Sequence, residues 1–414
     1  MTAGPVIALI DGEHHPAAVR DALDRLERSR GLAGVVFCGG EEKVPAGALE
    51  RTEEHYGRSV ETDSPPDALR RLAARAVAVV DIGDEPSLSP TPRFRLAAHA
   101  LHLGLVYEAP GTRLAPPRYQ QVEFGGPKLA VIGTAKRTGK TAVAGHWASL
   151  IRDRGAEPVI VCMGRGGPPE PRLARADMGL GELVGLTEDG GHAASDYLEG
   201  AALAGVTTVG CGRIGGGLAG EPHESNVAEG ARLAASVHPE VLIFEGSGAC
   251  IPPVEVDRTA CVVGDPDGAL EALGPYRLLR SQLALVAGDE SLARGVERWC
   301  ERVVRFELRP EPAEEVPEGA RVALFSTSTT PCDGFEPVVA SRNLARRGAL
   351  AADLDRAAAE CCDVYLTELK AAAIDTVAVH ARREEASVIF LRNRPVGIDG
   401  DLDAALLELY ADVA

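Results

Sequence analysis

Short, continuous apolar runs alternate along the chain with stretches of helical spacing. Runs at Val6–Ile10, 34–38 and 77–82 predict strands, and residues 16–28 and 66–75 predict helices between them. Such alternation predicts a parallel sheet with helices on both faces. A second series of runs lies at 129–132, 158–163, 207–210, 241–244, 259–263 and Leu283–Val286. A third lies at Val322–Phe325, 364–366 and 388–391. The Pro- and Gly-rich segment 109–128 reads as a linker. The Pro- and Glu-rich segment 308–319 reads as a second boundary or a long solvated loop. The expectation is an α/β chain in three blocks: a Rossmann-like parallel-sheet domain over 1–125, a second domain over 126–307, and an α/β region over 320–414. The pattern does not decide whether that last region is a separate domain or a continuation of the second sheet.

The run at 129–132 leads into Gly133-Thr134-Ala135-Lys136-Arg137-Thr138-Gly139-Lys140-Thr141 and then a helical pattern carried by Val143, Trp147, Leu150 and Ile151. Strand, small polar loop, Gly-Lys-Thr and helix is the layout of a phosphate-binding loop, so the second block is read as a P-loop nucleotide-hydrolase domain. Backbone N–H groups and the helix dipole favour an anion there. Gly133, Thr134, Thr138, Gly139, Lys140, Thr141 and Ala142 are the expected nucleotide-binding residues. Lys140 would reach the terminal phosphates and Thr141 would ligate Mg²⁺. Thr134 stands where the first glycine of the usual pattern stands, with Gly133 one place earlier. Lys136 and Arg137 are extra cations, candidates for offsetting charge on a transferred phosphoryl group. The strand at 241–244 ends in Glu245-Gly246-Ser247-Gly248, which makes Glu245 the candidate carboxylate for the metal.

Composition narrows the partners. A formal net charge of −18 argues against general nucleic-acid binding, so an anionic ligand needs a local basic pocket. Such pockets are foreshadowed at two strand ends: Gly164-Arg165-Gly166-Gly167 and Gly212-Arg213-Ile214-Gly215-Gly216-Gly217. Glycines let backbone N–H groups approach an anion, and guanidinium forks suit phosphate or carboxylate. Arg165, Gly166, Arg213, Gly215 and Gly216 are therefore candidate substrate contacts, with His223, Ser225 and Lys370 added from neighbouring segments. Ser225 or Asn226 could instead cap the next helix, and Lys370 could be a snorkelling surface lysine. Asp11-Gly12-Glu13-His14-His15 follows the first strand, with Asp81 and Asp84 nearby in the same sheet, as a metal or acid–base candidate or as plain capping. Nine cysteines are scattered without metal-ligand spacing and read as reduced core thiols, Cys361 and Cys362 included. With no apolar run long enough for a membrane span and no leader pattern, a cytoplasmic location is the default expectation.

The loop GTAKRTGKT and the strand end FEGSG are similar to those of the dethiobiotin synthetase branch of P-loop proteins. More closely, LIDGEHHP, GTAKRTGKT, MGRGGPPEP, CGRIGGGLAGEPHESN, FEGSGACIPP and ELKAAAID, in this order, resemble the cyclic 2,3-diphosphoglycerate synthetases. The resemblance implies use of ATP and Mg²⁺ to close a phosphoanhydride within 2,3-diphosphoglycerate, releasing ADP and phosphate. Lys140, Lys136 and Arg137 would then be catalytic, and a homodimer is the expected assembly. An ATP-dependent carboxylate cyclo-ligase and a nucleotide-switched dimerising ATPase would also account for the nucleotide motifs.

Overall fold

The computed structural model describes residues 4–176, 178–188, 196–327, 336–370 and 372–414. The N-terminal sheet contains β1 (Val6–Ile10), β2 (Leu32–Phe37), β3 (Ala78–Asp81), β4 (Val106–Ala109) and β5 (Thr112–Leu114), in the order β2-β1-β3-β4-β5. The first four are mutually parallel and β5 folds back antiparallel on β4. β1 is buried along its whole length, as expected of a strand covered on both faces.

The second sheet has thirteen strands among the described residues. They are β6 (Lys128–Gly133), β7 (Pro158–Gly164), β8 (Arg172–Ala174), β9 (Thr208–Ile214), β10 (Glu224–Ser225), β11 (Val241–Glu245), β12 (Arg258–Val263), β13 (Leu283–Val286), β14 (Val303–Pro312), β15 (Val322–Phe325), β16 (Val339–Ser341), β17 (Val364–Glu368) and β18 (Ser387–Gly397). The order is β10-β9-β7-β11-β6-β12-β13-β14-β18-β17-β15-β16, with β8 on β9. From β9 to β14 the strands are parallel, and so are β18, β17, β15 and β16. The two parallel sets meet in an antiparallel pair, β14 with β18. The C-terminal region is thus a continuation of the second sheet.

Register shows what this junction does. β14 pairs β13 only over Val303–Arg305, then runs on and pairs β18 from Phe306↔Gly397 to Pro312↔Leu391. β17 ends at Glu368, opposite Leu391. The carboxyl ends of the C-terminal strands therefore point back toward the carboxyl ends of β6, β7, β9 and β11. A ribbon of β14 and β18 holds the two edges apart, and Leu308 on it packs against Gly139.

The helix Lys140–Arg152 buries Val143, Ala144, Trp147, Ala148 and Ile151 against one sheet face. Trp147 is fully buried, and truncating it to alanine would cost about 3–5 kcal/mol. Small residues let this helix lie close to its neighbour Asp196–Ala204, where a Cβ at Gly145 would meet Ala204 at 3.1 Å.

Three sequence expectations are corrected here. Residues 109–128 are not a loose linker: after β5, Gln120 N donates to Pro253 O and Glu255 N to Gln120 O, both at 2.9 Å, so the segment is laced onto the second domain as a strap. Residues 308–312 are strand, not solvated loop. Cys361 is exposed and only Cys362 is buried, because Cys361 occupies a turn with φ 50° where the chain leaves the helix Arg347–Ala359.

Candidate functional site

The phosphate loop leaves β6 at Gly133 and enters its helix at Lys140, with Gly139 at φ 97° and Arg137 at φ 63°. Gly133 is needed sterically, since a Cβ there would lie 2.9 Å from Lys140 Cδ and 3.0 Å from Thr138 Oγ1. Lys140 folds back over the strand end, 7% exposed, and donates to Ala135 O at 2.8 Å and Thr138 Oγ1 at 3.2 Å. Burial pushes its pKa down, opposed by the charge of Glu245. Thr134 N donates to Val262 O, while its buried hydroxyl lacks a hydrogen-bond partner among the described residues. Lys136 and Arg137 are exposed at the loop tip.

Glu245 ends β11, which lies next to β6 in the sheet. Thr141 Oγ1 donates to its Oε1 at 2.6 Å, while buried Oε2 has no nitrogen or oxygen donor among the described residues, only the Cys162 thiol nearby. Burial pushes this carboxyl up to about 8; Asp196 adds to the shift, and Thr141, Lys140 and the Cys162 thiol opposite on β7 oppose it. A buried carboxylate facing only a weak thiol donor, beside a threonine hydroxyl, is a donor set that suits Mg²⁺. The unpaired Thr134 hydroxyl and the glycine cradle likewise suit a nucleotide phosphate.

A second pocket of about 470 Å³ opens beside this one, lined among others by Arg165, Arg213, Gly215, Gly216, Ala249 and Cys250. Arg213 is on the last turn-out of β9 and not in the loop after it, because that strand runs on to Ile214 through its pairing with β10. Its guanidinium donates to Gly215 O at 2.5 Å and Ser247 O at 3.0 Å, and Nε is buried without a partner among the described residues. Arg165 converges on the same spot: a Cβ on Gly248 would lie 2.6 Å from Arg165 Nη2 and 3.7 Å from Arg213 Nη2. Gly167 is packed so closely on β9 that a Cβ would meet Cys211 O at 1.9 Å. Gly166 is exposed with open space about it.

The remaining candidates divide. His223 is exposed beside Gly215 at the pocket rim. Ser225 Oγ accepts from Val227 N at 3.2 Å, the local helix-start bond. Asn226 bolts two strand-end loops together, accepting from Gly212 N at 2.8 Å and donating to Pro168 O and Pro169 O. Lys370 lies on the opposite edge, past β17, 3.9 Å from Glu368. It lies close enough to the helix Asp196–Ala204 for its charge to act on Asp196 and Glu199. In the N-terminal sheet the acidic cluster is internally satisfied. Asp11 accepts from Glu13 N, Asp84 N and His14, His15 caps its helix, and Glu13 pairs with Lys43 and Ser87. Among the described residues no three His, Cys, Asp or Glu are placed to hold a metal.

Three family models match successive parts of the chain. The family model for the N-terminal domain of cyclic 2,3-diphosphoglycerate synthetase matches residues 5–115, that for its P-loop domain 128–305, and that for its C-terminal domain 332–394. The cyclic 2,3-diphosphoglycerate synthetase of Rubrobacter xylanophilus is 45% identical, with 97% of this chain and 96% of the relative covered. The chain belongs to the cyclic 2,3-diphosphoglycerate synthetase family. Synthetases of the same name from Thermococcus onnurineus, 37% identical over 97% of this chain and 98% of theirs, and from Methanothermobacter thermautotrophicus, 34% identical over 98% and 95%, extend the match. LpxK from Aquifex aeolicus in complex with ATP gives a TM-score of 0.41 at 14% identity, covering 72% of this chain and 90% of that one.

This family member is therefore an enzyme with a P-loop domain. Two groups near its site carry no sequence motif. Asp196 lies at the start of its helix with its carboxyl surrounded by protein; desolvation raises its pKa, and Lys140, Lys370 and Lys136 oppose the rise. Glu199, one turn on, is pushed up to about 7 by burial. Both sit at the start of an ordinary-looking apolar helix, far in sequence from the loop they flank.

Proposed function

We propose that this enzyme uses ATP and Mg²⁺ to close an intramolecular phosphoanhydride in 2,3-diphosphoglycerate, yielding cyclic 2,3-diphosphoglycerate, ADP and inorganic phosphate. One observation carries the reading: the short segment from Glu245 to Cys250 joins the buried Lys140–Thr141–Glu245 group to the Arg165–Arg213 pocket. A nucleotide phosphate and a polyanionic acceptor can thus meet at one sheet edge.

Gly133, Thr134, Thr138, Gly139 and Ala142 would cradle the ATP phosphates, and Thr141 and Glu245 would hold Mg²⁺. When bound, the metal supplies charge neutralisation on the β- and γ-phosphates. Lys140 would leave Ala135 O for the γ-phosphate, aided by Lys136 and Arg137. Arg165, Arg213, Gly166, Gly215 and Gly216 would bind the acceptor phosphates, with His223 and Ser225 at the rim and Lys370 reaching from the facing edge. An acceptor phosphate oxygen attacks the γ-phosphorus, the β–γ bridging bond breaks, and ADP departs. The second phosphate of the same molecule then attacks the activated one, and inorganic phosphate leaves as the ring closes. Both nucleophiles are ionised at neutral pH, so alignment and charge neutralisation replace a general base.

The free thiols suit a reducing cytoplasm, where we place the enzyme. The exposed Ile214 and Leu218 beside the pocket suit cover by a second copy in a homodimer.

Phosphorus NMR of the protein with Mg-ATP and 2,3-diphosphoglycerate tests the reading. A ring-phosphoanhydride signal with one ADP per product is expected. ADP without a new phosphorus species would make the protein a switch-type ATPase, and no reaction would turn attention to carboxylate acceptors. Lys140→Ala is expected to cut turnover by at least roughly 100-fold. Arg213→Ala is expected to weaken 2,3-diphosphoglycerate use more than ATP binding, and equal losses would move Arg213 to the nucleotide.

A further inference from the structure

Behind the Arg165–Arg213 pocket lies a third guanidinium. Arg277, on the short helix Gly274–Leu279, is 5% exposed. Its Nε donates to Ala249 O at 2.8 Å, Nη1 to Leu273 O at 2.9 Å and Nη2 to Leu218 O at 3.2 Å. Ala249 lines the pocket on the segment after β11, and Leu218 follows Gly217, which lines it on the segment after β9. One side chain therefore fastens both walls. The fastening has work to do, because the wall after β9 contains Gly215, Gly216, Gly217 and Gly220, and glycine loses the most backbone freedom on ordering. A second tie, Ile251 N to Gly220 O at 2.8 Å, closes the same seam.

The charge of Arg277 is equally unusual. Its three partners are neutral carbonyls, and no carboxylate among the described residues pairs with it. Burial lowers its pKa, yet a guanidinium starts so high that it stays protonated at neutral pH. A buried charge without a counter-ion is costly to the fold. Its field is also less screened than that of a surface arginine, and here it lies directly behind a basic pocket.

We propose that Arg277 is a positioning residue of the acceptor site, holding its two walls in register and supplying unpaired positive charge that favours a doubly phosphorylated acid over a singly phosphorylated one. This rests on the acceptor assignment above. Arg277 acts through Ala249 and Leu218 and does not touch the acceptor.

The test is calorimetric binding of 2,3-diphosphoglycerate, 3-phosphoglycerate and Mg-ATP to the full chain and to Arg277→Gln and Arg277→Lys. Losing hydrogen bonds from a charged donor is expected to weaken 2,3-diphosphoglycerate binding at least about tenfold in the Gln variant. Its loss for 3-phosphoglycerate should be smaller, and Mg-ATP affinity should stay within about twofold. Lysine keeps the charge but cannot span both walls, so R277K should show a partial and similar loss for both acids and none for Mg-ATP. Should R277Q fail to fold, R277K decides. Unchanged 2,3-diphosphoglycerate affinity in R277K, or parallel losses for it and Mg-ATP, would overturn the positioning role. Equal losses for the two acids in R277Q would overturn the charge selectivity. A wild-type chain that binds Mg-ATP but no 2,3-diphosphoglycerate would instead overturn the acceptor assignment itself.

Discussion

At the scale of single residues, Gly133 and Lys140 are one unit. The lysine occupies the space that a side chain at 133 would need, so Gly133→Ala must push Lys140 off Ala135 O. The expected outcome is a folded protein with turnover reduced by roughly tenfold or more; steady-state kinetics at wild-type rate would show that the lysine tolerates displacement. The two members of this unit were legible in the sequence, because the spacing of Gly, Lys and Thr on a strand–loop–helix is a local pattern. Glu245 was legible for a related reason: an acid at the end of an apolar strand faces the same edge as every other strand end. Arg277, Asp196 and Glu199 were not. Their importance arises from which loops and charges surround them, and no local spacing encodes that.

Elements join through contacts that the sequence disguised. Proline richness made residues 109–128 look like a linker, yet Tyr119 bonds Tyr276 at 3.1 Å, Arg280 stacks over the Tyr119 ring and Arg118 pairs with Glu221. Prolines also hid the far half of β14. Ala313 N donates to Phe390 O, so odd-numbered residues there present N–H groups to β18, and Pro310 and Pro312 fall at the alternate positions, where their missing N–H groups cost the β14–β18 ladder nothing. The helix Pro90–His102 packs on Gly274–Leu279, and His99 lies against Trp299 with ring centroids 5.4 Å apart. Burial pushes His99 down from 6.5 to about 4, helped by His102 and Arg70 and opposed by Asp67. The fold therefore prefers the neutral ring. Its contribution is complete above pH 6.5 and is lost as pH falls toward 4. Melting temperatures measured across that window should fall less steeply for His99→Phe than for the parent; identical slopes would remove His99 from the acid response.

The whole molecule places two strand-end edges face to face, held by the β14–β18 ribbon and by the apolar cluster that packs Leu369, Ile374 and Phe390 on Leu183, Leu198 and Ala201. From Arg305 to Pro312 an extended strand covers about 23 Å. Deleting Arg309 and Pro310 together with their partners Asn393 and Arg394 would bring the edges about 7 Å closer without flipping any side chain to the other face. Mg-ATP binding is expected to survive while cyclisation is lost, as followed by phosphorus NMR; retained cyclisation would mean that the facing edge takes no part. Parallel-sheet alternation made both edges predictable one at a time. Their opposition was not predictable, since it depends on an antiparallel pairing between strands whose sequences lie some 80 residues apart and on the packing of Leu369, Ile374 and Phe390 against Leu183, Leu198 and Ala201.

The prolines of that ribbon have a further effect. A strand side with free donors ordinarily invites a foreign strand to continue the sheet. Pro310 and Pro312 carry no N–H on the side of β14 that faces away from β18. Replacing both with valine would put two donors there, so it is expected to endanger solubility before it changes any rate.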